Sequence, residues 1–183
     1  MRKQNLAFID IETTGLNVDT HEIIEIGCVL VSQNWTDGAK PTFEVVEEFE
    51  LKIKPERIED ADKVALRVNG YDPSAWVFAY TLKEAMQIFS KKTDGAIMVG
   101  HNICFDFGFL DKASRTTGIE NKMHYLKLDT ISMAFASLHN RADVSKFSLR
   151  VLCEYFGIEN KRAHTALSDA RATFEVYQKL MSL

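Results

Sequence analysis

Residues 6–15 of the chain have the sequence LAFIDIETTG, in which an apolar segment carries two acids, Asp10 and Glu12, directly before Thr-Thr-Gly. The segment Leu6–Glu12 predicts a β-strand. Residues two apart on a strand project from the same face, so Asp10 and Glu12 share one face and lie about 6–7 Å apart along the strand. Two such acids repel each other and resist burial unless a cation compensates them. A D-x-E pair alone is more typical of a strand ending in solvent, but the Thr-Thr-Gly that follows indicates a ligand site, because glycine lets backbone approach a ligand closely.

The rest of the chain predicts a mixed α/β fold. Two further strands are expected at Glu22–Ser32 and Phe43–Lys54, joined by a turn at Asp37-Gly38. Helices and short strands then alternate. The expected helices are Asp60–Val68, Thr81–Lys92, Phe105–Thr117, one after Asp129, Ser148–Phe156 and Thr165–Met181, and the expected short strands are Ala96–Val99 and Leu126–Asp129. Three strands followed by this alternation indicate a mixed sheet with helices packed on it.

Bulk properties restrict the class of protein. A length of 183 residues suits one domain, residues 1–183. No apolar run approaches the roughly 20 residues of a membrane span, and no signal-peptide cleavage site follows the apolar start, so a cytoplasmic location is expected. The net charge of −4 argues for a short grip on a strand end rather than on a long duplex. An odd number of cysteines without a C-x-x-C pair predicts buried thiols at Cys28, Cys104 and Cys153.

A second polar segment, Gly100-His101-Asn102-Ile103-Cys104-Phe105-Asp106, leads from a short predicted strand into a helix. Backbone N–H groups and the helix dipole favour anions such as phosphate at this position. Asp106 is expected in the first turn of the helix, where the dipole stabilises its charge. Alone, the segment also fits a hydrogen-bonded loop histidine followed by an ordinary first-turn acid.

A third segment, His164-Thr165-Ala166-Leu167-Ser168-Asp169, opens the last predicted helix. Five helical residues rotate by about 140° net, so His164 and Asp169 do not share a helix face. The workable arrangement has His164 on the loop, Thr165 or a neighbour as the cap, and Asp169 on the helix facing the sheet. A loop histidine beside a helix-borne acid suits a proton acceptor next to a metal ligand.

In this order the segments resemble the DEDDh 3′→5′ exonucleases, the family of the proofreading epsilon subunit of the bacterial replicative polymerase and of ribonuclease T. Residues Asp10–Leu16 are similar to the first family motif, His21–Gly27 to the strand after it, Gly100–Asp106 to the second motif and His164–Asp169 to the third. The likeness runs from about Phe8 to Tyr177. It implies a ribonuclease H-like α/β fold, in which helices flank a five-stranded mixed sheet on both sides.

The resemblance also implies the chemistry. It makes Asp10, Glu12, Asp106 and Asp169 ligands of two divalent ions, Mg²⁺ or Mn²⁺, and His164 the base that accepts a proton from the attacking water. Hard carboxylate oxygens suit these ions on chemical grounds as well. The residues that it implies for the terminal nucleotide are Thr13, Gly15, Leu16, His101, Asn102 and Phe105. From residue type alone, a core position is as consistent for Leu16 and more consistent for Phe105.

The expected activity is release of 5′-mononucleotides from single-stranded DNA or RNA 3′ ends. An RNA-specific exoribonuclease is an alternative, because two-metal chemistry needs no 2′-hydroxyl. A proofreading subunit partnered with a DNA polymerase is another, although a chain ending at Leu183, directly after its last predicted helix, favours a stand-alone enzyme or one domain of a longer protein. A catalytically silent nucleic-acid-binding module is disfavoured, since it should have lost at least one acid or the histidine. Monomer and homodimer both stay open.

Three weaker features accompany these motifs. Lys161-Arg162, just before the third motif, fits either a phosphate contact or an ordinary solvated pair. Trp35 and Trp76 are candidates for base stacking, although packing in the core or a loop is the better interpretation. The loop-like segment Leu66–Trp76 is expected to border the active cleft.

Overall fold

A five-stranded sheet organises the part of the chain that the computed structural model describes, residues 3–160 and 163–183. Its strands are β1 (Leu6–Thr13), β2 (Ile23–Asn34), β3 (Thr42–Lys52), β4 (Ile97–Gly100) and β5 (Lys127–Asp129). Their order across the sheet is β3-β2-β1-β4-β5. The first three strands pair antiparallel, whereas β4 and β5 run parallel to β1. The expected five-stranded mixed sheet is therefore confirmed.

Helices cover both faces of this sheet. They are α1 (Lys63–Val68), α2 (Leu82–Lys92), α3 (Ile103–Thr117), α4 (Thr130–Leu138), α5 (Leu149–Phe156) and α6 (Ala166–Leu180). On one face Ile9 and Ile11 of β1 share a core with residues of α2 and α3. On the other face Phe8 packs against Phe174 of α6, with ring centroids 4.9 Å apart. Because successive β1 side chains point to opposite faces, Asp10 and Glu12 lie on the α6 face of the sheet.

The sheet is open beside the last residues of β1. Within the described residues, β4 pairs with β1 from Leu6 to Phe8 and ends at Gly100, whereas β1 continues to Thr13. The far end of β1 thus lacks a strand neighbour on the β4 side. Polar groups from loops and helix starts are free to approach the acids of β1 there.

The segment before α2 differs from expectation because the side chains of Asp62 and Asp72 cap short helical turns. The single helix expected at Asp60–Val68 divides into a short 3-10 turn, Ile58–Asp60, and α1, since the Asp62 side chain accepts a hydrogen bond from the Val64 N–H and begins a new helix. The segment expected to be a loop after α1 contains a second 3-10 turn, Pro73–Trp76.

The cysteine and tryptophan expectations are partly confirmed. Cys28 and Cys153 are buried, but Cys104 is exposed. The prediction of a buried thiol was wrong there because the first turn of α3 turns Ile103 and Asp106 inward. Trp76 is buried and its indole N–H donates to the Ile24 carbonyl at 3.0 Å, as a packing role requires. No described helix combines the length and apolar character needed to cross a membrane.

Candidate active site

Three acids from two elements meet at the open end of β1. Asp10 and Glu12 project from β1, and Asp169 projects from the first turn of α6. One carboxylate oxygen of each lies within 4.8 Å of the others. Residues 10 and 169 are far apart in the chain, so the packing of α6 on β1 brings this group together. We call these three residues the acidic cluster.

Asp106 lies behind the acidic cluster and is tied to the backbone of β1. Its side chain is 3% exposed, and its Oδ1 accepts a hydrogen bond from the Ile11 N–H at 3.1 Å. This N–H lies beyond the part of β1 that β4 pairs with, and Asp106 satisfies it in place of a strand neighbour. Asp106 is thus close enough to repel Asp10 electrostatically, but it stands outside the closely spaced group of three.

The start of α3, which carries Asp106, is held by an acid that sequence analysis did not single out. Asp129 at the end of β5 accepts hydrogen bonds from the N–H groups of Ile103, at 3.2 Å, and Ile131, at 2.8 Å. Because this cap satisfies the Ile103 N–H, α3 begins at Ile103 rather than at the expected Phe105. A recognisable signal was the Asp129-Thr130 pair, an N-cap type residue directly before a helix.

Three of the implied nucleotide-binding residues, His101, Asn102 and Phe105, lie at the start of α3. His101 Nδ1 lies 3.0 Å from the Thr130 hydroxyl, and burial lowers the pKa of the imidazole. Asn102 is exposed and adopts the left-handed backbone conformation, with φ of 69°. Phe105 is half-buried with its ring 5.0 Å from that of Phe109. Of these three implied nucleotide contacts, only Asn102 is exposed.

His164 lies on the loop directly before α6, as the spacing predicts. It is exposed and has a left-handed backbone with φ of 69°. Its backbone N–H donates to Asp169 Oδ2 at 3.0 Å, and the Asn160 side-chain amide donates to Asp169 Oδ1. Ser168 in turn donates to Asn160 Oδ1 at 2.8 Å. Asp169 therefore fixes the loop that presents the imidazole, while Lys161-Arg162 lie outside the described residues.

The cap of α6 differs from the expected one. Thr165 is the N-cap residue, but its side chain makes no capping hydrogen bond. The Ala166 N–H instead donates to the carboxylate of Glu25, on β2, at 2.8 Å. Glu25 is 3% exposed and pairs across the strands with Glu12. A glutamate inside an otherwise apolar buried strand was the sequence signal for this residue.

The loop after β1 is held against α3 and the C-terminal end of α1. The Thr13 hydroxyl donates to the Gly15 carbonyl at 2.7 Å, and Leu16 next to it is 81% exposed. The Asn69 amide donates to the Thr13 carbonyl at 3.0 Å, so part of the segment Leu66–Trp76 contacts this loop. Lys112 of α3 donates to three carbonyls of the same loop. Leu16 thus projects into solvent from a fixed backbone.

Burial and mutual repulsion make the ionised acids unfavourable. Burial, followed by the neighbouring carboxylates, raises the pKa of Asp10 well above its usual range and that of Glu12 to about 8. Burial also raises the pKa of Asp106 to about 8 and that of Glu25 to about 7. All the ligand atoms that the acidic cluster offers are carboxylate oxygens, which suit Mg²⁺ or Mn²⁺. A bound divalent cation is the natural compensation for this charge.

We therefore predict that the stability of the metal-free protein falls as pH rises. The pKa values of Glu12 and Asp106 are raised above the unfolded values of about 4, so their stabilising contribution is complete below about pH 4 and is lost as pH rises through about 8. Divalent ions should reverse the loss, so that the rise in melting temperature on adding Mn²⁺ is about 5 °C larger at pH 8 than at pH 5.5. Differential scanning fluorimetry across this range measures both effects.

Two variants control this experiment. Asp10→Asn should remove most of the Mn²⁺-dependent rise, whereas Glu44→Gln, which changes an exposed acid on β3, should leave it unchanged. An equal Mn²⁺ effect at both pH values in the wild type would contradict the account.

A mixed sheet of this order, flanked by helices on both faces, defines a ribonuclease H-like fold. The family model described as "Exonuclease" matches residues 7–177, and the chain therefore belongs to this exonuclease family, which agrees with the resemblance seen in its motifs. It is 32% identical over 179 residues to the DNA polymerase III subunit epsilon of Haemophilus influenzae, covering 92% of this chain and 64% of that one.

Further comparisons agree with this family. The chain is 31% identical over 185 residues to ribonuclease T of Shewanella frigidimarina, covering 92% of this chain and 78% of that one. It matches the PolC-type DNA polymerase III of Caldanaerobacter subterraneus at 30% identity, but spans only 11% of that protein's length. Among solved structures, Escherichia coli exonuclease I in complex with a dT13 oligonucleotide superimposes with a TM-score of 0.75 at 16% identity, over 98% of this chain and 41% of that one.

Proposed function

We propose that residues 1–183 act as a metal-dependent 3′→5′ exonuclease domain that releases 5′-mononucleotides from single-stranded 3′ ends. The observation that carries this proposal is the acidic cluster, whose oxygens lie within 4.8 Å of one another beside the exposed His164. A chain of the exonuclease family that joins these three acids, holds Asp106 against the β1 backbone and carries His164 on the adjoining loop has the groups that phosphodiester hydrolysis requires.

The acidic cluster fits divalent ions. Asp10, Glu12 and Asp169 would hold them directly. Asp106 would support the acidic cluster from its place beside β1, where it accepts a hydrogen bond from the Ile11 N–H. Four carboxylates carry −4, so two divalent cations neutralise the site and leave it able to accept a phosphodiester. When bound, Mg²⁺ or Mn²⁺ would lower the pKa of a water molecule and stabilise charge on the leaving oxygen.

His164 is the base in the proposed reaction. His164 is exposed on a loop whose backbone N–H donates to Asp169, so the loop that carries the imidazole is joined directly to the acidic cluster. The imidazole takes a proton from the attacking water as the water oxygen bonds to the terminal phosphorus. The bond from phosphorus to the 3′ oxygen of the preceding nucleotide breaks, and that oxygen gains a proton from solvent. The product is a 5′-mononucleotide.

The terminal nucleotide is proposed to lie over the loop after β1. Leu16 presents an apolar surface for its base, and the fixed backbone of Thr13 and Gly15 lies next to the acids. We place Asn102, which is exposed at the start of α3, against the opposite side of this nucleotide from Leu16. His101 and Phe105 are partly buried next to Asn102 and support it.

The relatives supply two candidate settings for this activity. The similarity to a polymerase III epsilon subunit and to a PolC-type polymerase favours proofreading of DNA beside a polymerase. The similarity to ribonuclease T, which covers a larger share of that relative, favours trimming of RNA 3′ ends. The proposed chemistry is the same in both settings, since no step involves a 2′-hydroxyl.

We predict that His164→Ala lowers kcat by about 10²- to 10⁴-fold, the usual contribution of a general base. The folded structure and the Mn²⁺-dependent rise in melting temperature should persist, because His164 holds Asp169 through its backbone N–H and not its ring. His139→Ala removes another exposed histidine, at the C-terminal end of α4, and should leave kcat unchanged. A near-wild-type rate for His164→Ala across the pH range would remove His164 from the role of base.

We further predict the direction of digestion. A 3′-labelled single strand should release its label as a mononucleotide in the first turnover, whereas a 5′-labelled strand should shorten stepwise. Chelation of divalent ions should stop both reactions. Assays of a DNA strand and an RNA strand of the same sequence, run side by side, identify the preferred substrate. Early release of a 5′ label, or internal cutting, would show that the proposed activity is wrong.

A further inference from the structure

The first turn of α6 is fixed from β2, a strand that supplies no member of the acidic cluster. A helix start leaves four N–H groups without partners inside the helix, and a local side chain usually satisfies one of them. Here the Ala166 N–H donates to Glu25 Oε1 at 2.8 Å, although the two residues are 141 positions apart. The cap is therefore a tertiary contact between the sheet and the helix.

Gly27 makes a second contact with the same turn. A Cβ atom at this position would lie 2.2 Å from the Ala166 carbonyl carbon and 2.2 Å from the Leu167 nitrogen, so only glycine lets the backbone of α6 come this close. Glu25 and Gly27 are two apart on β2 and point to the same face. Together they fix the position and the orientation of the two peptide groups at the start of α6.

The position of Glu25 lowers the stability of the fold more than a helix cap with only a structural role would need to. Glu25 is almost fully buried and lies directly across the strands from Glu12, and like charges in this arrangement are destabilising. A serine at position 165 would cap the helix without adding a fifth acid beside the acidic cluster. What a cap from β2 adds is a rigid link from β1, through its paired neighbour β2, to the turn next to His164.

From this arrangement we infer that Glu25 is a positioning residue for His164 and Asp169, an inference that rests on the proposed function. Ala166 is two residues after His164 and three before Asp169, and Asp169 accepts the His164 N–H. By holding Ala166, Glu25 sets where the imidazole and the Asp169 carboxylate stand relative to Asp10 and Glu12. In this role the length and the acceptor oxygen of Glu25 matter rather than its charge.

Two conservative variants separate these properties. Glu25→Gln keeps the length and an acceptor oxygen but loses the charge, whereas Glu25→Asp keeps the charge but shortens the side chain by one methylene. The matched control is Glu48→Asp, which weakens another contact between the sheet and α6, the ion pair of Glu48 with Arg171. The readouts are kcat and KM on a labelled strand, the melting temperature, and the hydrogen-exchange rate of the Ala166 amide by NMR.

A positioning role predicts that Glu25→Gln stays within about threefold of the wild-type kcat and keeps the Ala166 amide protected. Glu25→Asp should lose about ten- to a hundredfold in kcat with little change in KM, since misplacement of a reacting group affects the chemical step. Its Ala166 amide should exchange at least about tenfold faster. Glu48→Asp should match the wild type in all these readouts.

Other outcomes overturn the inference. If Glu25→Asp is more active than Glu25→Gln, the charge of Glu25 matters rather than its reach. If Glu25→Asp loses Ala166 protection but keeps its kcat, the contact is structural only. If the wild type degrades no labelled strand, the proposed function fails by itself, and the Ala166 exchange rates still show whether Glu25 holds the start of α6.

Discussion

Mutual repulsion of carboxylates at the open end of β1 is the constraint on which the rest of the structure depends. Asp10 and Glu12 leave the strand on the same face, and Asp169 comes within 4.8 Å of both. Burial and these neighbours raise the pKa of Glu12 to about 8. Without cations such a group destabilises the fold above neutral pH, so the scaffold around it has to hold the acids together by other contacts.

Those contacts follow one pattern, in which a carboxylate accepts a backbone N–H from another element. Asp106 accepts from Ile11, Asp129 from Ile103, Asp169 from His164 and Glu25 from Ala166. Each bond gives a negative group a partner and at the same time fixes a loop or a helix start next to the site. Strand β4 ends early and leaves room for these contacts. The acids that repel one another, and the acids next to them, therefore also make the hydrogen bonds that hold the site together.

Much of the fold and the site could be predicted from sequence because the signals were local. The alternation at residues 6–12 and the acids two apart identified β1 and the face of its carboxylates. The spacing of His164 and Asp169 correctly placed one on a loop and the other on a helix. What was missed depends on contacts between distant positions. The start of α3 is set by Asp129, 26 residues after Ile103, and the cap of α6 by Glu25, 141 residues before Ala166.

The most direct test of the central claim is the position of bound metal. Crystals grown with Mn²⁺ and measured at its absorption edge should show anomalous peaks within about 2.5 Å of carboxylate oxygens from Asp10, Glu12 and Asp169, in a ratio of two ions per chain. Replacing Asp10 with asparagine should weaken these peaks. Full-occupancy Mn²⁺ elsewhere on the chain, with none at this cluster, would contradict the account.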